Sequence, residues 1–148
     1  MNFEGENITT DKLFGREITK GLKPREQIIR LINLLKNNNI EVWIITASIE
    51  VLVREAMKHF NIKAKVIGVK SIIIDNKFTV QLEKPLSMFK GKVECIKKFI
   101  DSEKNPLLGV GDNVYDLPML EYCKIKAVVD RKNALTVKAK VNNWFLID

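Results

Sequence analysis

The chain has 148 residues, 46% of them hydrophobic and 29% charged, with a formal net charge of +7. That is one domain's worth of ordinary globular composition, which argues against long disorder, and its apolar runs fall far short of the ~20 residues a membrane-spanning helix needs. The positive balance suits a solvated lysine-rich surface, a small anionic ligand or nucleic acid; the lysines are scattered and lack interleaved aromatics, which favours the surface and speaks against nucleic acid.

The N-terminal residues MNFEGENITT are polar and acidic, unlike a signal peptide. Residues 1–20 read as an arm or loop. A helix begins near Pro24, a residue suited to a first turn. Ile28, Leu31, Ile32 and Leu35 recur there at helical spacing, and Asn37, Asn38 and Asn39 end it. Glu41 to Ile45 reads as a buried strand. Thr46, Ala47 and Ser48 form a tight connection, with Ser48 as the expected N-cap of a helix from Ile49 to His59. Ala64 to Val69 is a second apolar strand. Ser71 to Ile74 and Lys77 to Leu82 flank Asp75-Asn76 as a hairpin. Gly91 to Ile100 has helical spacing. Pro106 to Val110 is a further strand, broken by Gly111, and a helix runs from about Val114 to Tyr122. Lys126 to Val129 is another strand, and Ala134 to Lys140 another helix. Trp144 to Ile147 is a last strand or a packing tail.

Strands alternating with helices imply an α/β fold with a mostly parallel sheet. Such sheets bind ligands beyond the carboxyl ends of their strands, which points to Thr46 and to Gly111-Asp112. Several chemistries are absent. His59 is the single histidine, at a helix end, and no GxSxG, GxGxxG or GxxxxGK[ST] occurs. Cys95 and Cys123 show no CxxC spacing and read as packed core residues of a protein in a reducing cytoplasm. Trp43 and Trp144 read as core or cap-contact aromatics.

Asp112 and Asp116 in LLGVGDNVYDLPML stand out. With a helix from Asn113 they form an i,i+4 pair on one face, suited to Mg²⁺, which takes carboxylate oxygens. The other reading makes Asp112 an N-cap and Asp116 a surface acid. Thr46 is a candidate donor to a phosphate oxygen or a simple strand-end residue. Ser48 carries the same choice. Lys92 opens a helix where the dipole disfavours it, and so needs solvent or an anionic partner; Lys90 is its competitor.

Together, VWIITAS, GKVECIKKFI and GVGDNVYDLPML resemble the haloacid dehalogenase superfamily of phosphatases. The likeness is greatest to its phosphoserine phosphatase-like group and phosphorylcholine phosphatase-like members, over about Gly21 to Leu135. The resemblance implies a Rossmann-like core. Thr46 would bond the transferring phosphoryl group, with Ala47 and Ser48 beside it in the substrate-binding stretch. Lys92 would neutralise charge on nucleophile and phosphate. Asp112 would bind Mg²⁺, with Asp116 supporting that metal shell and the catalysis. Phosphoryl transfer rests on positioning and charge stabilisation, which such groups supply.

The family's first motif, DxDx[TV], provides nucleophile and general acid/base, and this sequence contains none. Asp11, in TTDKLFG, is followed two residues later by Leu13 and follows no apolar strand. The expectation is an incomplete core over residues 21–148, with a hairpin near 71–82. The central strand and most of the helical cap would be missing, and residues 1–20 would be an arm or a cap remnant. The function expected is that of the C-terminal part of a Mg²⁺-dependent phosphatase acting on a small phosphorylated metabolite, inactive or impaired as this chain alone. Loss of a nucleophile costs on the order of a millionfold. Exposed strand edges would favour a missing N-terminal fragment or self-association. The alternative is a non-catalytic remnant that binds phosphate, Mg²⁺ or a protein partner.

Overall fold

A computed structural model describes residues 21–100 and 104–148; the expected arm at residues 1–20 lies outside the described residues. The chain divides into two compact units, one reaching Leu86 and one starting at Ser87.

In the first unit, helix α1 spans Glu26–Asn37, just after Pro24, and buries Ile32. Glu26 in its first turn and Lys36 in its last both suit the helix dipole. The helix stops where Asn39 turns left-handed, at φ 58°, a conformation asparagine tolerates better than most residues. Strand β1, Trp43–Ile49, lies parallel to β2, Lys65–Val69, from Trp43 opposite Lys65 to Ile45 opposite Ile67. The register then shifts before Ile49 meets Val69. Residues Val66 to Val69 are all buried, as expected of a parallel strand covered on both faces.

Two expectations are corrected here. Thr46, Ala47 and Ser48 continue β1 through its irregular stretch instead of forming a tight connection. Ser48 does not cap the next helix, α2, Glu50–His59; Ile49 holds that position in extended conformation, with no side-chain cap. The extra extended residues carry the chain past the point where Ser48 could reach the first helical amides. His59 ends α2 as expected.

The hairpin forms as read, from β3, Ser71–Ile74, and β4, Lys77–Leu82. Asp75 and Asn76 both have positive φ, 49° and 60°. Left-handed central residues give a two-residue turn the twist that antiparallel strands need.

In the second unit, α3 spans Gly91–Phe99, followed by β5, Leu108–Gly111. A 3₁₀ turn, Val114–Asp116, leads into α4, Leu117–Tyr122. Then come β6, Ile125–Val129, α5, Ala134–Val141, and β7, Phe145–Ile147. The three strands form a parallel sheet in the order β5-β6-β7. Leu120, Val128, Leu135 and Ala139 form its core, with Leu117 and Trp144 packed against them. The final WFLI segment is thus a strand.

Two further corrections concern the stretch after β5. Gly111 does not break the strand; it is its last residue. The helix expected from Val114 is split, because Pro118 has no N–H to give the Val114 carbonyl. Leu117 N–H bonds that carbonyl instead, which closes a tighter turn. Both cysteines are buried and free, and burial pushes the Cys123 thiol up. Among the described residues no helix is long and apolar enough to cross a membrane.

Candidate functional site

The carboxyl end of β5 carries the site. Gly111 leads to Asp112, and a cap, Asn113, opens the 3₁₀ turn. The Asn113 Oδ1 accepts from Tyr115 N–H at 3.3 Å. Asp116 folds back over the same turn. Its Oδ2 accepts from the Asp112 N–H at 3.0 Å and the Asn113 N–H at 3.3 Å. The pattern Asn113-x-x-Asp116 is a reciprocal cap. Asn113, not Asp112, therefore fills the cap position.

Asp116 is no surface acid, since it is only 8% exposed. Its Oδ1 accepts from Lys92 Nζ at 2.5 Å, and Lys92 is buried too. Lys92 thus meets its unfavourable place at the start of α3 by facing a carboxylate, while Lys90 is exposed. Gly111 is needed for this approach. A Cβ there would stand 2.7 Å from Asp116 Cβ, so space, rather than backbone freedom, requires glycine.

Asp112 and Asp116 do not form a matched pair on a helix face. The Asp116 oxygens are turned to Lys92 and to two amides. The Asp112 side chain is 43% exposed, and its Oδ2 accepts from Arg131 Nη1 at 2.6 Å. The loop between β6 and α5 also holds the Asp112 backbone, through Asn133 Nδ2 to the Asp112 carbonyl at 2.7 Å. The same Asn133 caps α5, its Oδ1 accepting from Thr136 N–H at 3.1 Å. Asn133→Ala removes both bonds and is expected to cost about 2 kcal/mol, read from the urea unfolding midpoint. Asp130 in that loop accepts from Lys132 N–H, which holds its carboxyl below the usual range.

Lys92, Asp112 and Asp116 are thus brought together in the second unit. Thr46, Ala47 and Ser48 lie in the first, at the irregular end of β1. Thr46 Oγ1 accepts from Ser48 N–H at 3.1 Å, a use of the oxygen separate from the donor hydrogen of the hydroxyl. Ala47 and Ser48 are exposed.

Sequence reasoning missed Arg131, Asn133, Glu50 and Gly68. Asn133-x-x-Thr136 carries a readable cap pattern; Arg131 carries none. Glu50, 7% exposed, opens α2 and accepts from Arg54 Nε and Nη2 at 2.9 and 2.7 Å and from Gly68 N–H at 3.0 Å. That pins the first turn of α2 beside β2.

Asp112 offers chemistry that fits Mg²⁺. It is a hard carboxylate with room for water, and its Oδ1 accepts no hydrogen bond from the described residues. Mg²⁺ needs only one or two carboxylates when phosphate and water complete its shell. Among the described residues no group of three or more His, Cys, Asp or Glu gathers to hold a metal.

A family model for haloacid dehalogenase-like hydrolases matches residues 3–121. No curated protein matches the sequence. Among solved structures, a protein of unknown function from Bordetella pertussis Tohama I aligns at TM-score 0.82 and 17% identity, covering 95% of this chain and 66% of that one. A probable phosphoserine phosphatase from Vibrio cholerae aligns at 0.72 and 14%, covering 98% and 43%. A phosphoserine phosphohydrolase-like protein from Francisella tularensis subsp. tularensis SCHU S4 aligns at 0.65 and 16%, covering 92% and 65%. The chain therefore spans 43% to 66% of the length of these three structures, and at such identities they share its fold.

Proposed function

The chain belongs to the haloacid dehalogenase-like hydrolases, and on that footing we propose that it carries the phosphate-binding and metal-binding part of a cytoplasmic phosphatase for a small phosphate monoester. The observation that carries the reading is the buried Lys92–Asp116 pair directly beside Asp112 at the carboxyl end of β5.

Each residue has a separate task. Asp112 would hold Mg²⁺ through its carboxylate. Bound there, the cation would polarise a phosphoryl oxygen and offset its charge. Asp116 keeps its oxygens for Lys92 and the turn, so it orients the ammonium and fixes Asp112. Lys92 contributes positive charge toward the phosphate, an effect strengthened where water is scarce. Thr46, with Ala47 and Ser48, takes its phosphate-binding role from the family's motif.

The sequence contains no DxDx[TV], so the step that needs a carboxylate nucleophile is impaired in these residues. The same absence favours a second reading, a domain that binds phosphate without turnover. Hydrolysis of p-nitrophenyl phosphate separates the two. The first predicts slow Mg²⁺-dependent turnover that Asp112→Asn removes. Mg²⁺-dependent phosphate binding with turnover no faster than that of Asp112→Asn supports the second.

A further inference from the structure

The loop between β6 and α5 touches Asp112 twice, through the Arg131 guanidinium on Oδ2 and the Asn133 amide on the backbone carbonyl. The loop is itself tied down. Asp130 Oδ1 accepts from Lys132 N–H at 2.8 Å, Thr136 Oγ1 accepts from Arg131 N–H at 3.3 Å, and Lys132 is left-handed at φ 52°. Arg131 is therefore presented from a pre-formed loop, which lowers the entropy lost in making its contact.

We infer that Arg131 is a built-in competitor for divalent cations at Asp112 and sets how tightly that carboxylate holds Mg²⁺. The inference rests on the reading of Asp112 as the metal ligand. A guanidinium at 2.6 Å neutralises the oxygen it touches and repels a second cation on the same carboxylate. It weakens metal binding without forbidding it, because Asp112 Oδ1 lies outside the contact. The side chains are 53% and 43% exposed, so the competition belongs to the weak class of surface ion pairs.

The test is calorimetric titration of the full chain with Mg²⁺ alone, with no phosphate ester present. Arg131→Gln should tighten Mg²⁺ binding about two- to fivefold, the range a surface ion pair supports. Arg131→Lys keeps the charge and should stay within about twofold of the unmodified chain. Asp112→Asn should weaken binding about tenfold or more. If no variant binds Mg²⁺, or Asp112→Asn leaves binding unchanged, the metal-ligand reading falls and takes this inference with it. If Asp112→Asn loses Mg²⁺ while Arg131→Gln leaves affinity the same or lower, the inference alone is overturned. It is overturned too if Arg131→Lys tightens binding as much as Arg131→Gln, because charge is then not the cause.

Discussion

Asp116→Ala is expected to destabilise the chain by about 3–5 kcal/mol, the range for removing one member of a buried ion pair. The carboxylate does three things at once. It stands 2.5 Å from a buried ammonium, and it accepts the amides of Asp112 and Asn113. Deleting it takes the countercharge from Lys92 and leaves two turn amides without their acceptor. For a chain of this size the loss corresponds to a fall in Tm of about 10 °C or more. Lys92→Met should cost less, since Asp116 then keeps both amide donors. Asp116→Asn should fall between the unmodified chain and alanine, because its amide oxygen can still serve the turn. Urea unfolding of the three variants checks the order. A loss below about 1 kcal/mol for Asp116→Ala would place the pair among surface ion pairs and contradict the burial argument.

Gly68→Ala is expected to cost about 3 kcal/mol, at the upper end for overpacking a well-filled interior. An added Cβ would lie 2.6 Å from the Glu50 Cα, a backbone atom that cannot rotate away. The start of α2 must then move off β2. That movement also stretches the bond from Gly68 N–H to Glu50 Oε2, now 3.0 Å. Because Glu50 is buried and paired with Arg54, the bond belongs to the stronger, charge-assisted class. Glu50→Ala in the Gly68→Ala background distinguishes the two contributions. If the shared hydrogen bond dominates, the double variant costs much less than the sum of the single ones, as coupled neighbours do. Additive losses would show that close packing dominates, because the Glu50 Cα, Cβ and N that the added methyl meets all remain in alanine.

Local patterns were enough to read most of the fold. The Asp75-Asn76 turn carries its own backbone preference, and the hairpin on either side has the bounds its sequence suggests. The helix opening at Gly91 and the strand-helix alternation that follows are likewise local, and the family stretches around Lys92 and Asp112 are contiguous in sequence. What escaped was set by distant partners or by one missing donor. Ser48 has good capping chemistry, yet pairing with β2 resumes at Ile49 and draws the chain out past it. Gly111 looked like a break because glycine often marks one, whereas its task is to let Asp116 approach. The start of the helix after it was misplaced because the effect of Pro118 falls four residues upstream, on the Val114 carbonyl. In the site, Arg131 lies 19 residues from Asp112 and Asn133 lies 21, and Gly68 lies 18 from Glu50. Only folding across β6 or β2 brings such residues together.

The charges around Asp112 make phosphate binding the most direct test. Lys92 is matched by Asp116 and Arg131 by Asp112, so these four side chains sum to no net charge. A phosphate dianion gains little from a balanced set unless a further cation joins it. Isothermal titration of the chain with inorganic phosphate, with and without Mg²⁺, measures this. The account predicts phosphate binding that requires Mg²⁺ and is lost in Asp112→Asn. Phosphate binding that is the same without Mg²⁺, or that survives Asp112→Asn, would contradict it.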